Sequence, residues 1–387
     1  MRGAVASLLL GTAALCLPAR AGGQAFKLRG TASVAQRARS PSFSPSTAMR
    51  LMDRGRLLFI GGGIVAEQQT LYLVRLKDLR RKAVRVPLAA FVKGNPGIKL
   101  ARGDRRPVHE QFWLQRLLFY DVENGEAGVE VADRYGDRRV RRHFFIHWDL
   151  KQNRLTEATL VARERPGASH AESLDLGYDH RRRRFYYARQ IYQRKDLRRV
   201  VSIIEFSAGK PRLVTQFRSD LPLQSRTYFD PAFRRTLLVE YAELANKGAA
   251  PRSFLVDLAR GKVRKINTPL TTYGVAFGQG GKRIFLYSSQ LGQLWAVDAG
   301  SGNKLASVKA GKRGHALGLV DSGRLLLVRS SGLWFFSAGK RLRRRGAIAI
   351  GKLYSGFSHV EGSLVFPKGA VVRNGDRLYF LSFPAAR

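Results

Sequence analysis

Residues 273–311 read YGVAFG-QGG-KRIFLYSS-QLG-QLWAVDA-GSG-NKLASVKAG, four short apolar runs separated by glycine-rich turns. Runs of this length, rich in aromatic and aliphatic side chains and bounded by Gly, Ser and Asp, are what antiparallel strands joined by tight hairpins look like. A unit of about 40 residues with four such strands has the length and strand count of one blade of a propeller. The constraint is strong because a lone four-stranded sheet has two apolar faces to cover, and sister units stacked beside it cover both.

The unit recurs. Its third run, LWAVD at 294–298, aligns by eye with 72–76 (YLVRL), 145–149 (FIHWD), 202–206 (SIIEF), 254–258 (FLVDL), 333–337 (LWFFS) and 378–382 (LYFLS). The spacing, roughly 40 to 70 residues, varies through loop insertions, as in repeats whose cores are fixed and loops free. The first unit is read as strands at 57–60, 70–76 and 83–88. The second is read at 111–113, 117–121, 144–150 and 155–161, with a charged insertion at 122–142 between its middle strands. The seventh is read at 357–360, 363–366 and 378–383 and lacks a fourth strand. The segment 26–35 is expected to supply it, pairing the N-terminal part of the chain with the last unit and closing the ring, because an open ring leaves two sheet edges exposed. The expected fold is all-β: a single β-propeller of seven four-stranded antiparallel blades over 47–387. Residues 22–46 precede it, in part as the ring-closing strand.

Residues 1–21 read as a secretory signal. Arg2 supplies the positive start, 4–17 form an apolar stretch without charge, and Ala19-Arg20-Ala21 is an A-x-A cleavage site. The apolar stretch is too short for a permanent membrane anchor. The chain has one cysteine, Cys16, within that signal, so the mature protein has no disulfide, no thiolate nucleophile and no Cys-ligated metal. A secreted or periplasmic location is expected.

Charge is the outlying property: 69 Lys plus Arg against 28 Asp plus Glu, a formal net charge of +41. A balance so basic predicts attraction to polyanions, whether polysaccharide, lipopolysaccharide or nucleic acid, or to an acidic protein partner. An arginine-rich genome-wide composition produces the same bias without a partner. In a blade the first-to-second and third-to-fourth hairpins share one face, and the basic clusters fall mostly there. Arg80, Arg81 and Lys82, Arg181, Arg182, Arg183 and Arg184, Arg264 and Lys265, and Arg343, Arg344 and Arg345 are the candidate polyanion contacts. Hairpin turns are also the most exposed places and collect charge for that reason alone. Aromatic residues are sparse at these turns, so base stacking is not indicated. The opposite face carries Arg138, Arg139, Arg194 and Lys195 in two neighbouring loops.

For chemistry, the mouth of the central channel is where blade connections and inner strands converge. His109, His170, Arg226, Tyr228, Tyr273, His315 and Tyr354 are expected near it, with Asp175 and His359. His, Tyr and Arg together would neutralise a uronate and abstract a proton, which is the enzymatic alternative: a lyase or hydrolase on anionic glycans. A strand-end histidine is more often simply hydrogen-bonded. The chain contains no HExxH, EF-hand loop, Walker motif or Gly-x-Ser-x-Gly elbow, and neither metal nor cofactor is expected.

The segment Ala296-Val297-Asp298-Ala299-Gly300-Ser301-Gly302-Asn303-Lys304-Leu305-Ala306 resembles the A-x-D-x-x-T-G-x-x-x-W repeat of quinoprotein-type propellers and the related YVTN repeats of bacterial secreted propellers. The resemblance implies a propeller and export. It implies no quinone site, because Ala306 stands where those repeats place their docking tryptophan; a degenerate quinoprotein-like oxidoreductase is the second enzymatic alternative. In the motif the Asp and Gly residues also have a local reason, capping the turn between third and fourth strands. The expected function is therefore a monomeric, exported, non-enzymatic binding propeller with a basic face.

Overall fold

The structure is a computed structural model that describes residues 27–33, 48–61, 70–94, 112–133, 141–164, 169–193, 198–207, 210–219, 224–241, 252–268, 272–339, 341–349, 362–374 and 377–383. The signal-sequence reading at 1–21 lies outside them, as do the strand read at 357–360 and the basic loop residues Arg138, Arg139, Arg194 and Lys195.

Seven four-stranded antiparallel sheets make up a seven-bladed propeller. Strand β1 (Lys27–Ser33) comes first in the chain but belongs to the last blade. The first blade is β2 (Ala48–Met52), β3 (Leu57–Gly61), β4 (Thr70–Arg75) and β5 (Arg81–Arg85), followed by helix α1 (Leu88–Gly94). The second is β6 (Phe112–Asp121), β7 (Glu126–Asp133), β8 (Arg141–Asp149) and β9 (Arg154–Glu164). The third is β10 (Ser169–Asp179), β11 (Arg184–Gln193), β12 (Arg198–Ser207) and β13 (Lys210–Ser219). The fourth is β14 (Gln224–Phe229), β15 (Arg235–Tyr241), β16 (Arg252–Asp257) and β17 (Val263–Asn267). The fifth is β18 (Thr272–Phe277), β19 (Arg283–Ser288), β20 (Gln293–Asp298) and β21 (Lys304–Lys309). The sixth is β22 (Gly314–Leu319), β23 (Arg324–Arg329), β24 (Gly332–Ser337) and β25 (Arg344–Ala349), and the last blade contributes β26 (Gly362–Phe366), β27 (Gly369–Asn374) and β28 (Arg377–Ser382).

First strands of successive blades adjoin one another and are innermost; fourth strands form the rim. In the last blade β1 takes the fourth position against β28, Lys27 opposite Ser382 and Ser33 opposite Arg377, so the ring closes as the sequence predicts. All seven third runs are third strands.

Burial follows this order. Middle strands are covered on both faces, as in β19 and β23, whereas the rim strands β5, β21 and β25 are largely exposed. The apolar clusters lie between blades rather than within them. Phe285, Tyr287 and Leu294 of the fifth blade meet Leu325, Leu327 and Phe336 of the sixth, and Leu58 and Val74 of the first meet Val371, Leu378 and Phe380 of the last. A sheet face that packs only on its neighbour makes the closed ring the unit of stability. Among the described residues six blades are also tied internally: the residue just after the third strand donates its N–H to a carbonyl at the first-to-second connection, Leu76 to Arg56, Leu150 to Gly125, Leu258 to Arg234, Ala299 to Lys282, Ala338 to Gly323 and Phe383 to Lys368. Asp298 caps its turn as read, its Oδ1 accepting the Ser301 N–H at 2.6 Å.

The second blade differs from the sequence reading. The two short runs at 111–113 and 117–121 are one strand, β6, whose polar Gln115-Arg116 is absorbed by a bulge between Leu114 and Arg116. The charged insertion at 122–142 contains a complete second strand, β7. Its Glu126 and Glu130 are buried and ion-paired, and these charges disguise the Ala127, Val129, Val131 apolar alternation. In the last blade, β26 is the first strand rather than the second, and β27 follows it across a two-residue turn as the second. After β5 the chain does not stay extended to 88: Pro87 opens α1, which buries Leu88, Phe91 and Val92.

Candidate anion-binding clefts on the turn face

The Arg-rich turns are built on carboxylates that are buried at Asp179 and Asp230 and half-buried at Asp257. Asp179 ends β10 and its Oδ1 accepts the N–H groups of Arg181 at 3.0 Å and Arg182 at 3.4 Å. Asp230 does the same for Ala232, and Asp257 for Ala259 and Arg260. An Asp at the start of such a turn replaces the missing ladder partner. Arginines that follow it in sequence are thereby carried out over the face.

Two clefts open between these turns. One, of about 350 Å³, lies between the second and third blades, floored by Phe119, Phe145, Tyr178, Phe185 and Phe206, with Glu126, His147, Thr156, Arg182, Arg183 and Ser207 around it. The other, of about 610 Å³, runs from the third blade across the fourth to Gly280 and Gly281 of the fifth. Its walls carry six arginines, Arg182, Arg184, Arg212, Arg234, Arg235 and Arg260, against three carboxylates, Glu205, Asp230 and Asp257.

In the smaller cleft Glu126 is held from three sides. Arg183 donates Nε to Oε1 at 3.0 Å and Nη2 to Oε2 at 2.6 Å, the Tyr178 hydroxyl donates to Oε1, and His147 Nε2 lies 3.2 Å from Oε2. Burial alone would raise the Glu126 pKa, but hydrogen bonds from His147, Arg183 and Tyr178 outweigh it and hold the carboxyl far below its ordinary range. The same arrangement, burial first and then the Glu126 charge, drives the Tyr178 phenol upward. Beside it, His180 Nδ1 lies 3.0 Å from Asp121 Oδ2. These contacts join the second blade to the third.

In the larger cleft Glu205 takes both Arg212, at 3.0 Å, and Arg184, at 3.3 Å. Burial and the Glu205 carboxylate push the Tyr186 phenol up to about 12. Arg234 pairs with Asp230 at 3.2 Å, while Arg235 donates to the Gly281 carbonyl at 2.9 Å. The carboxylates are buried but the guanidinium groups are not: Arg184, Arg212 and Arg234 side chains are 40%, 54% and 50% exposed. A guanidinium has five N–H donors, and a carboxylate below it uses one or two, so the outward edges remain for a ligand.

The proposed polyanion contacts divide. Arg182, Arg183 and Arg184 flank the clefts, and Arg181 is in the same turn. Arg81, Lys82, Arg264, Lys265, Arg344 and Arg345 lie in the fourth strands β5, β17 and β25, on the rim, with Arg80 and Arg343 just ahead of β5 and β25. There they recur in one geometry: Arg81 covers the Tyr72 ring at 3.8 Å, Lys304 covers Trp295 at 4.2 Å and Arg344 covers Trp334 at 3.8 Å. In each blade the aromatic sits two residues before the third-strand residue that faces the cation, Val74 opposite Arg81, Val297 opposite Lys304 and Phe336 opposite Arg344. Charge on a rim strand guards an open sheet edge, a structural use for these residues.

Of the channel candidates, His109 and Tyr354 lie outside the described residues, as does His359. His170, Asp175, Arg226 and Tyr273 fall in the inner strands β10, β14 and β18. Tyr228 is at the turn end of β14, packed on the core between the fourth and fifth blades. His315 is at the other end of β22, its Nε2 2.8 Å from Ser330 Oγ. The sequence reading missed Glu126, His147 and Tyr178 altogether, and the alternation of Glu126, Gly128 and Glu130 with Ala127, Val129 and Val131 is the signal that would have found the first. Among the described residues no group of His, Cys, Asp and Glu is arranged to hold a metal, and no helix is long and apolar enough to cross a membrane.

No family model matches the sequence, and no curated protein matches it. Solved structures do resemble it in shape. A chain of the crystal structure of a mitotic checkpoint complex aligns over 99% of both chains, with a TM-score of 0.57 and 10% identity. The Dos1 propeller aligns over 87% of this chain and 77% of its own, with a TM-score of 0.52 and 11% identity. Saccharomyces cerevisiae Sqt1 aligns over 87% and 84%, with a TM-score of 0.50 and 6% identity. At such identities the likeness is one of fold: the chain is a β-propeller.

Proposed function

We propose that this propeller is a non-enzymatic binding scaffold, exported from the cytoplasm, which grips an anionic partner on its turn face. The observation that carries the reading is the larger cleft, where six arginines stand against three carboxylates, of which Glu205 and Asp230 are buried. Half-exposed guanidinium groups braced from below are pre-oriented donors for carboxylate, sulfate or phosphate oxygens. The net charge of +41 raises the local concentration of any such partner at long range. Export rests on the signal at 1–21 and on the likeness of the fifth blade to YVTN and quinoprotein-type repeats. Tyr228 and His315 lie at opposite ends of inner strands, so these two do not meet at one mouth of the channel.

The test is heparin affinity as a function of salt, with unaltered chain and with the triple substitution Arg212→Ser, Arg234→Ser and Arg260→Ser. The log–log salt slope is expected to flatten by about two to three, close to one released counterion per arginine. An unchanged slope would refute the cleft as the binding surface.

A further inference from the structure

We propose that the two clefts form one track whose occupant is an acidic protein segment carrying a single aliphatic anchor side chain. The inference rests on the anion-binding reading above and specifies its ligand.

Arg182, on the turn between β10 and β11, lines both clefts. On one side of it lies an arginine-walled trough, on the other a pocket with an apolar floor. A ligand that uses both needs negative charge along its length and one apolar group at its end.

The floor of the smaller cleft selects among such ligands. Phe119 stacks on Tyr178 at 3.9 Å and Phe145 on Phe185 at 5.3 Å. These rings spend their faces on one another, and each of the four is at most 9% exposed. Nucleobases and sugar rings are recognised by stacking on an exposed aromatic face. A packed floor of ring edges instead suits an aliphatic side chain, whose gain comes from area removed from water and needs no stacking geometry. Glu126 does not repel an acidic chain, because Arg183 bonds both its oxygens. Ser207 is exposed at the rim of this cleft and offers a hydroxyl to a peptide backbone. Sulfated glycans and nucleic acids supply regular charge but no aliphatic branch. A polypeptide supplies both.

The experiment uses fluorescently labelled 12-residue peptides of Asp, Glu and Gly in which one end carries Leu, Ala or Trp, measured by polarisation at near-physiological salt beside heparin. The Leu peptide is expected to bind at least about tenfold tighter than the Ala peptide, the size of effect that burying one such side chain gives. Ser207→Trp, which fills the pocket from its exposed lip, is expected to reduce that preference to less than about twofold. Equal binding of the Leu and Ala peptides by the unaltered chain overturns the inference, and so does heparin binding without peptide binding, which would make the partner a polysaccharide. A preference for Trp over Leu also overturns it, in favour of a stacking ligand. If neither heparin nor any peptide binds, the anion-binding reading itself falls. The peptide series on the unaltered chain reads the preference even if Ser207→Trp does not fold.

Discussion

Arg183 of the third blade bonds both carboxylate oxygens of Glu126 in the second, Nε to Oε1 at 3.0 Å and Nη2 to Oε2 at 2.6 Å. The carboxylate is buried and the guanidinium is largely exposed, so the pair is a staple set into the seam from outside.

Glu126→Gln removes the charge while keeping the shape. It is expected to cost about 1.5–3 kcal/mol at pH 7, the range for a charged hydrogen-bond partner lost from a buried site. The pH dependence fixes the sign. The folded-state pKa of Glu126 is depressed, so its contribution is complete above the unfolded pKa of about 4.3 and is lost as pH falls below that toward the folded value. Thermal unfolding between pH 5 and pH 2 should therefore fall less steeply for Glu126→Gln than for the unaltered chain. Parallel curves would show that the staple is not what acid breaks.

Removing residues 1–33 deletes β1 and bares the edge of β28. The rim position of the last blade then presents unpaired N–H and C=O groups, a template for another chain. The truncated protein is expected to elute as soluble oligomers in light-scattering chromatography and to unfold at a lower temperature. A monomer of unchanged stability would mean that the β1–β28 ladder contributes nothing to closure.

The rim cations make a prediction of contrast. Arg344 is committed to the Trp334 ring, and Arg329 covers the same ring at 4.1 Å. A double-mutant cycle on Arg344→Ser and Trp334→Leu should give a coupling of about 0.5–1 kcal/mol. The Arg343, Arg344 and Arg345 to Ser triple should flatten the heparin slope less than the cleft triple does. An equal or larger change would move the binding surface to the rim.

Gly177 lies where the third blade meets the fourth, and a Cβ there would come within 2.5 Å of the Phe233 ring and 2.9 Å of the Phe229 ring. Gly177→Val is expected to lower stability by about 1–3 kcal/mol by overpacking, read as a shift of the denaturation midpoint at constant m-value. No shift would mean that Phe229 and Phe233 have room to give way.

Ring number and closure were legible because third strands are apolar on both faces and bounded by turn residues, as in Leu294–Asp298 or Leu333–Ser337, and because 26–35 was a strand without a partner. The second strand of the second blade was not legible, since Glu126 and Glu130 look like surface charge until Arg183 and Arg116 are brought across to them. The clefts were half legible. Arg181 to Arg184 announce a basic turn, but nothing local says that Arg184 shares a carboxylate with Arg212, or that Phe119 of one blade stacks on Tyr178 of the next. The first pairing depends on the cross-strand register of β11, β12 and β13 and the second on blade-to-blade packing, and the spacing of the repeats encodes neither. The rim was misplaced for a simpler reason: a cation at the start of a fourth strand and one in the turn before it differ by one or two residues.

The pairing of β1 with β28 also has a consequence in time. Of the described strands, the first to leave the ribosome is the partner of the last, so its ladder must wait while six other sheets are made. Blades in the middle of the chain have every hydrogen-bonding neighbour close in sequence, but this joint spans almost the whole polypeptide and carries the largest loop-closure entropy. Docking of the two ends is therefore the natural slow step. Until it is complete, β1 and the outer edge of β28 both lack their ladder partner.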